Sequence, residues 1–329
     1  MKNRKFKFTF NWALIILLLV LFLGISALNS VFLSIDYLAG VMLRNIVELG
    51  MMALTVTLII ITGGIDLSVG SILVLSSMLG GIAALHGGST LGVLAALLTG
   101  AVCGLFNGVL IAKIKISPMV TTLATMFLYM GLARSISKGD SIYSFEGSEW
   151  LGMSELPIAD VAWIPLQIFY YAILAVVFWF VLSKTSLGRK IYAIGHNENA
   201  TIFSGVNTGK VKLIIYTLSG LMCGLAGLIW LGRFTSVKFD AGTSLNLKVV
   251  TIIVLGGTSI AGGIGDMKGT ILATLIIAVL NSGLTVLNIP ITTQTIVHGI
   301  ILVISLITYF FLNERAKKSR VLELKKARE

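Results

Sequence analysis

The sequence predicts an all-α, polytopic membrane protein with about ten transmembrane helices and both termini on the cytoplasmic side. Three observations predict it. Apolar residues make up 56% of the 329-residue chain and charged residues only 12%, against about 25% charged in soluble domains. The apolar residues fall into runs near the ~20 residues that cross ~30 Å of hydrocarbon. The lysines and arginines are spread unevenly over alternating connections, as a positive-inside bias requires. Membrane strands do not fit, because the runs are too long and lack a period of two.

The expected spans are 12–33, 45–62, 67–85, 91–111, 118–135, 165–182, 212–231, 249–260, 269–287 and 296–312. The first follows Lys2, Arg4, Lys5 and Lys7. Its apolar run exceeds a typical signal-peptide core, so it is expected to remain as a helix. The eighth is short, and is expected to be a partial span or to run irregularly into "GGTSIAGG". With the N-terminus inside, Arg44, Arg134, Lys138, Arg233, Lys238 and Lys248 fall outside, and the other 19 of the 25 Lys and Arg fall inside. The connection 137–164 carries Asp140, Glu146, Glu149, Glu155 and Asp160 against Lys138, which suits the outer side. The chain thus divides into a basic cytoplasmic segment 1–11, a transmembrane domain 12–312 with a cytoplasmic loop at 183–212, and a basic tail 313–329. The tail reads first as a stop-transfer flank, with contact to anionic membrane lipid as the other reading. The net charge of +11 is then mostly topological, and a nucleic-acid partner is not expected.

Little chemistry is written in the spans. A phosphate-cradling GxxxxGK[ST] loop is missing; "GVNTGKV" at 205–211 has the wrong spacing and no hydroxyl residue after the lysine. Ionisable residues in the apolar runs reduce to Glu48 and Asp66, few for a proton relay, although sodium can bind the carbonyls of broken helices. Cys103 and Cys223 lie in apolar segments and read as small core residues. Three scattered histidines offer no metal site, and no cofactor is expected on this chain.

Two glycine clusters stand out. "GGIDLSVGS" holds Gly63, Gly64, Asp66, Ser68 and Gly70; "LGGTSIAGGIGDMKGT" holds Gly256, Gly257, Gly262, Gly263 and Gly265. Both follow a β-branched run, and both fall in connections assigned inside. Glycine permits tight turns and close helix approach. Asp66 and Asp266 are expected to cap the helices that follow, with a solute-contact or gating role for Asp66 left open.

These two clusters, with "YAIGHNENATIFSGV", resemble the membrane permease subunits of ribose-type ABC importers, a family that serves monosaccharides and autoinducer-2. The likeness runs over roughly 38–311. It implies a multi-pass protein of the bacterial cytoplasmic membrane, a second permease protomer, a cytoplasmic ATPase that holds ATP and Mg, and an extracytoplasmic solute-binding protein. A monosaccharide or similar small solute would cross by alternating access. A nucleoside or branched-chain amino acid ABC permease, and an ion-coupled carrier, are the alternatives. By the same likeness, Gly195, Asn197, Glu198, Ala200, Ser204 and Gly205 mark an ATPase-coupling helix at 198–204, with Asn197 as N-cap and Gly205 just past its end. This sequence has His196 where glycine is common and "ATIF" where "AARL" is typical. Arg233 and Lys238, basic on the outer side, are candidate docking charges for the binding protein. Asn45, Asn107 and Asn281 are candidates for the solute path, or polar links between helices.

Overall fold

The computed structural model describes residues 10–144, 148–158 and 162–307. The segment 1–9 and the tail after 307 lie outside the described residues, and with them most of the two basic ends. Among the described residues, seven helices are long and apolar enough to cross a membrane, and two apolar helices are shorter. In chain order they are α1 (Phe10–Leu28), α2 (Ile35–Ile61), α3 (Val69–Ala112), α4 (Pro118–Ser137) and α5 (Leu166–Lys184). Two helices outside the spans follow, α6 (Ser186–His196) and α7 (Glu198–Phe203). Then come α8 (Thr208–Phe234), the short α9 (Thr243–Leu255), α10 (Met267–Val286) and the short α11 (Ile291–Ile307).

α2 is the hub. Nine-tenths of its apolar window is buried, against α5, α8, α9 and α10. α1 is the opposite case: only Leu14 and Ile25 are buried, and most of its apolar surface is left for lipid. Between helices in lipid, apolar side chains supply no hydrophobic drive, so small residues and close packing must hold the bundle. α3 and α8 do this with matched small-xxx-small pairs, Gly100/Gly104 and Gly220/Gly224. The backbones touch there: a Cβ on Gly100 would lie 2.3 Å from the Gly220 carbonyl oxygen. Cys103 and Cys223 are buried and unpaired beside this seam.

Several boundaries differ from the sequence reading. α2 starts ten residues before the expected 45, after a 3₁₀ turn at Ser30–Leu33, and passes through a wide π turn at Leu38–Leu43. The spans expected at 67–85 and 91–111 form one helix, α3, bent at Gly87 and Gly88. The span expected at 249–260 is α9, which starts six residues earlier and stops at Leu255 because Gly256 and Gly257 close it. Its start is fixed by packing: a Cβ on Gly242 would meet the Gly70 carbonyl oxygen at 2.2 Å. Short strands, unexpected from the sequence, clip the connections. β1 (Ile142–Tyr143) pairs antiparallel with β4 (Ser236–Val237), and β2 (Glu155–Ile158) with β3 (Ala162–Pro165).

The start of α3 is also displaced. Gly81 packs on Ile142 and Tyr143 of β1, and Gly70 lies eleven residues earlier, about 16 Å down the helix. α3 therefore begins inside the bundle, and Gly64 to Ser68 is an irregular segment that leads the chain back in. α9 begins at the same depth, beside Gly70. Two helices thus start within the bundle with their first turns in contact.

Candidate functional site: a glycine junction and a buried polar knot

Three sequence segments far apart in the chain cross at one point. α2 ends at Ile61, and Gly63 turns the chain with φ +81°. The second glycine cluster reaches this end: Gly263 N–H donates to the Ile61 carbonyl at 2.8 Å. Gly195, in the last turn of α6, lies on that hydrogen bond. A Cβ there would stand 1.8 Å from Ile61 O and 2.4 Å from Gly263 N. Gly262 closes the triangle, since a Cβ on it would meet Gly63 N at 2.9 Å and Gly195 O at 3.2 Å. Gly262 and Gly263 have φ +86° and +76°, where a side chain would be strained. The His196 ring lies against Gly263, whose added Cβ would sit 2.0 Å from Nδ1. Histidine at this position therefore fills space over the second cluster.

Tyr192 adds a fourth tie, donating its hydroxyl to the Gly265 carbonyl at 2.8 Å. Burial pushes its phenol up, and the nearby Asp266 carboxylate adds to this, so it stays a neutral donor at physiological pH. Gly256 packs on Gly269 of α10, and Asp266 caps α10 by accepting from Lys268 N–H at 3.2 Å. From this junction α7 projects. Asn197 accepts from Ala200 N–H at 3.0 Å, Glu198 pairs with Lys212 at 2.6 Å, Ser204 ends the helix, and Gly205 turns it with φ +82°. The helix expected at 198–204 thus spans Glu198–Phe203. Its Ile202 and Phe203 are exposed, Phe203 by 90%.

Asp66 does not cap α3 as expected. The N-cap is Ser68, whose side chain makes no capping bond, and the helix begins at Val69. Asp66 is instead fully buried, and its Oδ1 accepts from Ser68 N–H at 2.9 Å and Ser68 Oγ at 2.6 Å. The bonds continue outward. Asn107 donates to Ser68 Oγ at 2.9 Å, Tyr129 donates to Asn107 Oδ1 at 3.1 Å, and Thr122 donates to the Ile65 carbonyl at 3.0 Å. Gly70 N–H, an orphan donor of the first turn of α3, is satisfied by Asn246 Oδ1 of α9 at 2.7 Å. The irregular segment is thereby tied to α3 and α4, and the first turn of α3 to α9.

This geometry asks Asp66 for an accepting oxygen. Asp66→Asn is expected to keep uptake within about twofold. Asp66→Ala, which strands the Ser68 donors, should cost about 1–3 kcal/mol and be read as a lower unfolding temperature. An Asn variant that is stable but transports nothing would assign the role to the charge.

The other predicted residues are engaged elsewhere. Asn45 donates to Ser282 Oγ at 3.1 Å, and Asn281 Oδ1 is 2.6 Å from His298 Nε2; all three candidate asparagines bridge helices. Lys238 is exposed, its ammonium 5.9 Å from the Phe239 ring centre. Arg233 turns inward. Its Nη1 is 3.2 Å from both oxygens of buried Glu48, and its Nη2 donates to Asn45 Oδ1 at 2.5 Å. Arg233 thus forms an internal ion pair, because the Glu48 carboxylate in the bundle needs a cation. Glu48 was visible in the sequence as a rare acid in an apolar run; Asn246 and Tyr192 carried no signal of their own.

Comparison with known proteins settles the family. The model of the "Branched-chain amino acid transport system / permease component" family matches residues 37–306. The chain belongs to that family. It is a multi-pass permease of the cytoplasmic (inner) membrane, and not itself an enzyme. The ribose import permease protein RbsC of Escherichia coli K12 is 36% identical over 310 residues, 91% of this chain and 95% of that protein. RbsC of Bacillus subtilis is 38% identical over 291 residues, covering 88% and 89%. The autoinducer 2 import system permease protein LsrD of Escherichia coli is 30% identical over 303 residues, covering 91% and 92%. No solved structure matches the chain.

Proposed function

We propose that this permease is the translocating subunit of a binding-protein-dependent ABC importer for a monosaccharide-type solute. A cytoplasmic ATPase would bind and hydrolyse ATP-Mg and dock on α7. A second permease protomer would complete the path, and a solute-binding protein would deliver the cargo from outside. Near full-length likeness to ribose permeases supports the solute class. The observation that carries the coupling role is the glycine junction: the last turn of α6, which leads straight into α7, meets the end of α2 and the turn between α9 and α10 backbone to backbone. A displacement of α7 is passed on without soft side chains to absorb it.

The same reading gives ten crossings, with α3 crossing twice through its bend at Gly87 and Gly88 and α9 and α11 each crossing once. Both termini are then cytoplasmic. The charge balance supports this more cleanly once Arg44, Arg233 and Lys248 are removed from the outer loops, since each lies on a helix. Glycines 63, 64, 256, 257, 262, 263 and 265 would act as the hinge region.

Co-purification with the ATPase, followed by binding-protein-stimulated ATP hydrolysis across a sugar panel, tests the function. Stimulation by no sugar, with uptake by the chain alone under an ion gradient, would overturn it in favour of a carrier. Phe203 supplies a sharper test of the docking face. Its ring is almost wholly exposed, so Phe203→Ser should leave folding unchanged while weakening ATPase capture at least tenfold. Capture at wild-type strength would remove α7 from the interface.

A further inference from the structure

α9 leaves one face open. Leu245, Asn246 and Val249 are buried, while Thr243, Ser244 and Leu247 are exposed. Two contacts fix how deep this face lies. Gly242 touches Gly70, about 16 Å along α3 from the contact with β1. Asn246 Nδ2 lies 3.3 Å from Met126 Sδ, eleven residues from the Ser137 end of α4 and so again about 16 Å down. The chain descends to α9 from that end of the bundle: the Arg134 guanidinium stands 5.2 Å from the Phe239 ring centre, and Asp240 follows. Thr243 then holds Asp240 to the first turn of α9, since its N–H and its hydroxyl both donate to the Asp240 carbonyl, at 3.2 and 2.8 Å.

The open face is polar. The Asp240 carboxylate and the Ser244 hydroxyl are exposed, and neither makes an ion pair or hydrogen bond among the described residues. Lys248 follows Ser244 by four residues, one turn further along the same face. Hydrocarbon offers such groups no partner, and charges at membrane depth face the bundle interior or a water-filled cavity. A side turned to lipid looks different: α5 exposes Ile173, Val176, Val177 and Phe180. The face of α9 from Asp240 to Lys248 therefore fits water and not lipid, and it runs from one end of the bundle to mid-depth.

We propose that this face is a wall of the solute path, with Asp240 and Ser244 as its contacts for the hydroxyl groups of a neutral, polyhydroxylated solute. The proposal rests on the importer reading above, in which the Ser137 end of α4 is the outer end, and adds to it where the solute passes. A carboxylate accepts from two neighbouring hydroxyls, and a serine both donates and accepts, so the pair suits a polyol. Lys238, exposed two residues before Asp240, balances its charge, so the mouth holds no single-sign field to draw in an ionic solute.

The test uses the full importer, with ATPase and binding protein, in proteoliposomes. Cys103 and Cys223 are buried, so a thiol placed on the face can be labelled by itself. Ser244→Cys is expected to react with a charged, membrane-impermeant methanethiosulfonate at least tenfold faster than Ile173→Cys on the lipid side of α5, and transported sugar should slow that reaction. Asp240→Ala should lower solute moved per ATP at least tenfold, with binding-protein-stimulated ATPase within about twofold of wild type, and Asp240→Asn, which keeps an accepting oxygen, should lose less. If Ser244→Cys fails to assemble, Thr243→Cys takes its place. Labelling no faster than at Ile173→Cys means that lipid or a second copy of the chain covers the face, and overturns the proposal. Fast labelling that sugar does not slow, or wild-type stoichiometry in Asp240→Ala, overturns it as well. Labelling itself needs neither ATPase nor binding protein, so the two readings separate: if free sugar slows it while the binding protein fails to stimulate ATP hydrolysis, the importer reading falls and the wall stands.

Discussion

Gly195→Ala is expected to leave the permease in the membrane and reduce ATP-driven uptake by tenfold or more. The added methyl would stand 1.8 Å from Ile61 O and 2.4 Å from Gly263 N, so it cannot be seated while those two atoms keep their 2.8 Å hydrogen bond. Both atoms are backbone, as is Gly263 Cα at 3.0 Å, and no rotamer change relieves the clash. Either α6 backs away from α2, or Gly263 gives up its acceptor. Overpacking costs typically about 1–3 kcal/mol, and loss of a buried backbone hydrogen bond about 1 kcal/mol. That total shifts stability but need not unfold a protein of this size. The larger effect is mechanical, because separation of α6 from the α2 end inserts slack between α7 and both glycine turns. ATPase binding should persist while uptake falls. Gly131→Ala is the control: it lies in α4 with nothing within 4 Å of an added Cβ, and alanine in a helix is favoured over glycine by about 0.5–1 kcal/mol. Normal uptake in Gly195→Ala would show that the junction tolerates movement and would remove it from the coupling path.

That junction could be seen in the sequence only in parts. The glycine clusters and "YAIGHNENATIF" announce themselves by composition. That Gly195 sits on a hydrogen bond between Ile61 and Gly263 is a contact across 134 and 68 residues of chain, and no local pattern encodes it. Helix ends were less legible than helix existence for a related reason. Span 67–85 was placed on its apolar run, which starts at Leu67, yet Asp66 and Asn107 hold Ser68 from the side and delay α3 to Val69. α9 starts early because "TSLNL" reads as polar loop in isolation, whereas Asn246 is buried and accepts from Gly70. Charges near helix ends are hard to place for the same reason: spacing puts Arg233 and Lys248 in loops, and only packing shows that both lie on helices and that Arg233 serves Glu48.

The Glu48–Arg233 pair carries the second large effect. Both side chains are mostly removed from solvent, Glu48 at 3% and Arg233 at 14% exposure. The guanidinium also donates to the Arg44 carbonyl at 3.0 Å and stacks 4.7 Å from the Phe234 ring centre. Arg44 in turn pairs with Glu155 of β2, so the network joins α2 and α8 to the β2–β3 pair. Removal of one member of a buried pair leaves the other charge without compensation, a loss of about 3–5 kcal/mol. Arg233→Met should therefore lower the unfolding temperature sharply, and Glu48→Gln should do less because Gln can still accept from Arg233. The double variant Glu48→Leu/Arg233→Met should recover most of the loss, since an apolar pair of similar volume avoids the desolvation of both ions. Salt discriminates this from a docking role. A buried pair is screened little, so the penalty of Arg233→Met should be nearly the same at low and high ionic strength. A docking charge would instead leave stability untouched and make binding-protein capture salt-sensitive. If the double variant is destabilised by the sum of the single losses, the two charges do not act as a pair, and Arg233 returns to the surface as a candidate contact for the binding protein.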